Sequence, residues 1–228
     1  MEQSERSYDK VVGYIRQEIR QGSLRRGERL PPERELAELI GVSRNSVREA
    51  LRTLSLMGFI SSVQGAGNFV TCDFEKNLTE TLNMMLLLGE TNALQLSQLR
   101  RALESETVRL AVGRIMPKQI EKLGELARKM REEPNREKSV QYDQEFHSIL
   151  CIASGNKLIQ SLFDAMLSTI NNFISTMHMR IMQDPIQREA LHTAHTKLVE
   201  ALCERDEKKA MSAIFEHFEV VDNSLQSM

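Results

Sequence analysis

The sequence predicts a mainly α protein: an N-terminal winged helix-turn-helix, made of three helices plus a two-stranded wing, followed by an all-α bundle of six or seven helices. Three observations carry this expectation. Two short amphipathic runs meet at Gly41, a Gly-rich segment between short apolar stretches follows them, and from Asn77 onward helical periodicity prevails. Boundaries fall at residues 5–72 for the first domain and 77–228 for the second. With 228 residues, the chain has room for two cores of ordinary size.

The elements follow in chain order. Ser7 to Gln21 reads as a first helix with Val11, Val12, Ile15 and Ile19 facing inward, and Gly22-Ser23 ends it. LRRGERLPPE is a loop, stiffened by Pro31 and Pro32 just ahead of the next helix. Glu33 to Ile40 places Leu36, Leu39 and Ile40 on one face, and Gly41 accepts the left-handed backbone of a helix exit. Ser43 stands where an N-cap belongs, ahead of a run that aligns Val47, Ala50, Leu51 and Leu54. A second helix with a polar, basic first turn is the reading helix of a helix-turn-helix, whose N-terminal residues meet base edges in the major groove. Ser43, Arg44, Asn45, Ser46 and Arg48 supply two guanidinium forks and three short hydrogen-bonding side chains for that work. Gly58 closes the run, and Phe59 to Thr71 reads as a hairpin tipped by Gln64-Gly65-Ala66-Gly67.

Cys72 to Lys76 forms a short linker without Gly or Pro. Helices are then expected over Leu78–Leu88, Thr91–Ile115 (Leu94, Leu99, Leu103, Val108 and Ala111 inward), Pro117–Glu133, Arg136–Ala153, Lys157–Met182, Pro185–Cys203 and Glu207–Ser224, the last capped by Asp206.

Charge and cysteine usage narrow the function. The net charge is −2, but residues 1–71 hold eleven Lys/Arg against nine Asp/Glu, whereas residues 72–228 hold nineteen against twenty-three. A mildly basic head on an acidic body fits a sequence-specific DNA reader better than a non-specific coat protein. Cys72, Cys151 and Cys203 are scattered, with no CxxC pair, so the sequence supports neither a disulfide framework nor a thiolate zinc knuckle. Cys151 and Cys203 are expected in the core. No apolar run reaches membrane-spanning length and the first ten residues are polar, so the expected location is cytoplasmic, with no membrane partner.

All five histidines, His147, His178, His192, His195 and His217, fall in the second domain. Asp143 and His147 are four apart and share a helix face. Joined by His195 and His217 from the last two helices, they would give one carboxylate and three imidazoles, a set suited to a divalent transition metal with positions left open. A histidine on an amphipathic helix is nevertheless more often packed or exposed than a ligand.

The chain also resembles a known family. GSLRRGERLPPERELA, GVSR, VREAL and GFISSVQGAGNFV stand at the spacing of the winged helix-turn-helix of the GntR family of bacterial transcription regulators. Residues 78–228 resemble the FCD ligand-binding domain of its FadR subfamily, through LSQLRRALESETVRLAVGR, YDQEFHSILCIASGN and HTKLVEALCERDEKKAMSAIFEHF. The resemblance implies DNA contacts at Arg34, Ser43, Arg44, Asn45, Ser46 and Arg48, with Gln64 and Gly65 at the wing. It implies metal ligation by Asp143, His147, His195 and His217, with zinc or nickel as the ion, and effector binding by Arg100, or Arg101 if the register differs by one. His178 and His192 match no ligand position; His192, one helical turn before His195, is a candidate to support a ligand or line the pocket, and surface exposure is the plain alternative for both. The implied protein is no enzyme but a homodimer that reads a palindromic operator in double-stranded DNA, most often a repressor released by a small organic acid. Two alternatives stay open at this point: an acyl-CoA or metal-free effector, and a metal-dependent hydrolase fused to a DNA-binding head, against which the absence of H-E-x-x-H weighs.

Overall fold

The computed structural model describes residues 2–226. The chain divides into two compact units, Met1–Asn77 and Leu78–Met228.

The first unit contains α1 (Glu2–Gln21), α2 (Glu33–Ile40), α3 (Arg44–Leu56), β1 (Ile60–Val63) and β2 (Gly67–Val70). Its core gathers Val11, Ile15, Leu36, Val47, Leu51, Leu54, Ile60 and Val70. Two residues expected inside are exposed: Leu39 at 59% and Ile19 at 46%. The buried stripe of α2 runs through Leu36 and Ala37, which turns Leu39 away, and Ile19 stands in the last turn of α1. Gly41 takes φ 72° and donates its N–H to the Ala37 carbonyl, which ends α2 as its sequence requires. Strands β1 and β2 pair antiparallel, Ile60 opposite Val70 and Val63 opposite Gly67. The segment before α2, expected as plain loop, adds to the sheet. Gly27 N–H donates to Val70 O (2.8 Å), Val70 N–H to Glu28 O (2.9 Å) and Leu30 N–H to Asn68 O (2.8 Å). A run of Gly, Arg and Glu has no alternation to announce such an edge.

The second unit is a bundle of α4 (Phe74–Leu87, which begins in the first unit), α5 (Ala93–Val112), α6 (Pro117–Glu132), α7 (Arg136–Ser154), α8 (Lys157–Ile181), α9 (Pro185–Glu204) and α10 (Glu207–Gln226). Helix α4 starts at Phe74, inside the expected linker, where neither Gly nor Pro is present to stop it. Capping fixes the other ends. The side chains of Asn92, Asn135, Asn156, Asp184 and Asp206 each accept from backbone N–H groups one turn on. The core packs Val108, Ala111, Leu123, Leu126, Phe146, Leu150, Leu198, Leu202, Ile214 and Phe218. Cys151 is buried within the bundle, whereas Cys203, expected inside, is exposed. The inward face of α9 runs through Leu191, Ala194, Leu198 and Leu202, and Cys203 lies outside it. Leu99 is likewise 45% exposed. The inward face of α5 passes through Leu96, Arg100, Glu104, Thr107, Val108 and Ala111, so two charged side chains occupy the interior and Leu99 turns out. Among the described residues, no helix is long and apolar enough to cross a membrane.

Candidate metal centre

Three helices converge on one point in the bundle. Helix α7 supplies Asp143 and His147, α9 supplies His195 and α10 supplies His217; all four are buried, and one ligand atom from each lies within 4.8 Å of the others. Asp143 Oδ1 is 3.2 Å from His195 Nε2 and 3.6 Å from His147 Nε2, yet these atoms make no well-aligned hydrogen bond. Donors bonded to one ion at about 2.1 Å stand roughly 3.0–3.5 Å apart, so the separations fit edges of a coordination shell. Buried polar atoms that face one another without bonding are costly unless something satisfies them. The donor set, one carboxylate oxygen and imidazole nitrogens, suits a divalent transition metal.

Apolar rings wall the cluster. Phe146 meets His195 edge-on at 4.8 Å between centroids, and Phe218 meets His217 at 5.0 Å. Such walls hold water away and sharpen the electrostatics inside.

Behind the ligands lies a buried chain of charge. Arg100 Nε donates to one oxygen of Glu104, and the other oxygen of Glu104 lies against His147 Nδ1. With Nδ1 facing that carboxylate, Nε2 is the His147 nitrogen that faces Asp143. The Arg100 guanidinium lies 5.6 Å from the centroid of the Phe218 ring. Burial opposes the charge of Glu104, but Arg100 and His147 outweigh it and hold the carboxyl below its ordinary range. For His147, burial presses downward, and Glu104 and Asp143 win, raising its pKa to about 8. Asp143 is held well below its ordinary value, burial being overcome by His147 and His195. His217 is pushed far down by burial and by the neighbouring His195 and His147. On α5, Arg101 reaches outward to Asp222 (2.8 Å), while Arg100 is 5% exposed beside the cluster.

Sequence reasoning missed Glu104 as part of the site. Four residues after Arg100, it has the spacing of an ordinary surface ion pair on a helix, and only the rotation of α5 places both inside. His178 on α8 was expected at the surface, and His192 on α9 either there or in the pocket; they are 4% and 5% exposed.

Residues 7–70 match the family model of bacterial regulatory proteins of the gntR family, and residues 95–220 match the FCD domain. The chain belongs to the GntR family, with an FCD effector domain. Among its relatives are the HTH-type transcriptional regulator LutR of Bacillus subtilis, 28% identical over 91% of this chain and 95% of the relative. The Uxu operon transcriptional regulator of Escherichia coli is 28% identical over 97% and 88%. A solved GntR structure from Streptococcus agalactiae superposes with a TM-score of 0.66 at 25% identity, covering 95% of this chain and 99% of that one. These relatives and families are transcription regulators, which sets the hydrolase reading aside.

GntR regulators bind DNA, and here the first turn of α3 is built for exposure. Ser43 caps the helix, its Oγ accepting from Ser46 N–H (3.1 Å), which leaves Arg44 and Asn45 pointing outward from the first turn. Arg48 pairs with the half-buried Glu33 of α2 (3.2 Å) and Arg34 with Glu38 (3.1 Å) in solvent, where an ion pair is weak. Gln64 and Gly65 lie at the exposed wing tip, where Gly65 takes φ 77°.

Proposed function

We propose that this regulator senses a small carboxylate at a divalent metal, zinc or nickel, bound by Asp143, His147, His195 and His217. Residues 77–228 act as sensor and dimerisation domain, and residues 5–72 as reader. In a homodimer the two α3 helices read a palindromic operator in the cytoplasm, as a repressor released by the effector. The observation that carries the reading is the convergence of four buried ligand atoms beside Arg100. A bound ion offers an open position to one carboxylate oxygen. Arg100, planar and permanently charged, supplies a fork for the other. The phenylalanine rings exclude competing water. At the reader, Arg44 and Arg48 bind guanine edges or phosphate, Arg34 and the wing residues Gln64 and Gly65 hold the backbone, and Ser43, Asn45 and Ser46 add short polar contacts. The effector shifts the equilibrium between arrangements of the dimer only by the difference in its affinity for them.

The test is a thermal-melt screen of purified protein against small carboxylates, with and without chelator, beside His195→Ala. A stabilisation that disappears with chelator and in the variant supports the metal–carboxylate sensor. Stabilisation by fatty acyl-CoA that ignores chelator overturns it.

A further inference from the structure

A cleft of about 470 Å³ lies in the bundle between the end of α6, the start of α7 and the early turns of α9. None of the four proposed metal ligands lines it, nor does Arg100 or Glu104. Arginines and glutamates alternate along its wall, and their pairing decides its charge. Arg131 is held by Glu189 (2.9 Å), and Glu132 by Arg128 from outside the cleft (2.7 Å). Glu133 turns to the backbone and accepts from Asn135 N–H (3.0 Å). Arg136 and Arg188, both exposed, have no ion-pair partner among the described residues. Two unpaired guanidinium groups against the one carboxylate not held by a cation leave the cleft positive, which attracts an anion.

Two buried neutral groups complete the wall. The Ser139 hydroxyl, in a residue 2% exposed, makes only a long 3.5 Å bond to the Met130 carbonyl. His192 is 5% exposed, and its Nδ1 has no hydrogen-bond partner among the described residues. With no acceptor at Nδ1, nothing holds the ring proton there, and the N–H is available on Nε2. Buried polar groups left in this state gain most from a ligand that supplies acceptors. A carboxylate has two oxygens, and two guanidinium forks already saturate its lone pairs. A phosphate monoester has three terminal oxygens and nearly two negative charges, enough for both forks and for the hydroxyl and imidazole besides. The volume also exceeds that of one phosphate group, leaving room for a small organic remainder against Met130 and Met182.

We propose that this cleft is a second ligand site of the helical bundle, which takes the phosphate group of a small phosphate monoester between Arg136 and Arg188, with Ser139 and His192 donating to its remaining oxygen. The site needs no metal and does not rest on the carboxylate reading above.

The experiment titrates chelator-treated full-length protein calorimetrically, in phosphate-free buffer, with inorganic phosphate, glycerol 3-phosphate and glucose 6-phosphate, beside glycerol and glucose. At least one of the three phosphates binds with a Kd of about 1 mM or tighter, and the parent alcohols bind at least about tenfold more weakly. Arg136→Gln and Arg188→Gln each weaken that binding by about tenfold or more, the worth of a hydrogen bond to a charged group. Both side chains are exposed, so the variants keep the wild-type melt. Arg44→Gln, in the DNA reader, leaves the affinity within about twofold. Binding of none of the three phosphates overturns the proposal. So does binding that both cleft variants retain, or binding that Arg44→Gln abolishes, which places the phosphate at the reader. Binding seen only after zinc is restored puts the ligand at the metal and overturns it equally. Each of these results leaves the carboxylate sensor to its own melt screen, so the two readings fail separately.

Discussion

Glu104→Gln is the sharpest probe of how the site is built. The substitution keeps size and shape but exchanges a two-acceptor carboxylate for one acceptor and one donor. In the wild type, Arg100 Nε donates to one oxygen, and His147 Nδ1 faces the other. A glutamine cannot serve both. If its carbonyl keeps Arg100, its NH2 confronts His147 Nδ1, which then keeps its lone pair there and carries its proton on Nε2, the nitrogen needed for the metal. If the carbonyl turns to His147 instead, a buried guanidinium loses its acceptor. Either outcome weakens ligation without removing a ligand. Loss of such an orienting partner lowers metal affinity about 10- to 100-fold, or roughly 1.4–2.7 kcal/mol. Competition against a fluorescent zinc chelator measures the constant, and a calorimetric melt of the apo-protein checks that the bundle still folds cooperatively. A zinc affinity within twofold of wild type, in a cooperatively folded variant, would refute the argument that Glu104 sets the tautomer of His147.

Arg100→Ala retains metal in the same chelator assay and loses the melt response to carboxylates, whereas Arg100→Lys keeps the charge without the fork and recovers part of that response; wild-type affinity in the alanine variant removes the clamp. Arg44→Ala abolishes operator binding in a fluorescence-anisotropy titration while its melt stays within about 0.5 kcal/mol of wild type, because the side chain is exposed. Gly67→Ala destabilises the first unit by more than about 1 kcal/mol in a urea titration. Its φ of 111° disfavours any side chain, and a methyl group there would lie 2.8 Å from Arg29 Nε; an unchanged midpoint would show that the wing relaxes freely.

Legibility in the sequence followed the local character of each signal. Gly41, Ser43, Asn135, Gly155 and Asp206 announce helix ends by short-range chemistry, and the structure uses each of them there. Four-residue spacing is also local, so the shared face of Asp143 and His147 was readable. Convergence with His195 and His217 was not derivable from periodicity; it depends on how three helices pack, and resemblance supplied it. Rotation of α5 was equally hidden, because Leu99 and Leu103 suggested one inward face and the structure buries Arg100 and Glu104 instead. A buried ion pair on an amphipathic helix reads in sequence like a surface one. The same ambiguity concealed His178 and His192, whose burial depends on the packing of α8 and α9 with the rest of the bundle.

With a divalent metal in the proposed site, the charges in the bundle interior would call for an anion beside it. Arg100 contributes one positive charge, Glu104 and Asp143 two negative ones, and ligation requires the imidazoles to be neutral. The protein groups alone therefore leave one net negative charge in a dry core, a state that favours a cation. A divalent ion overshoots by one. Burying that surplus next to Phe146 and Phe218 is costly in a medium that solvates charge poorly, and one carboxylate cancels it. Glu104 is essential to this balance. Without it the loaded site would carry two surplus charges and select a dianion; with it, the balance favours a single carboxylate, and discrimination among monoanions passes to the neutral groups that surround the rest of the molecule.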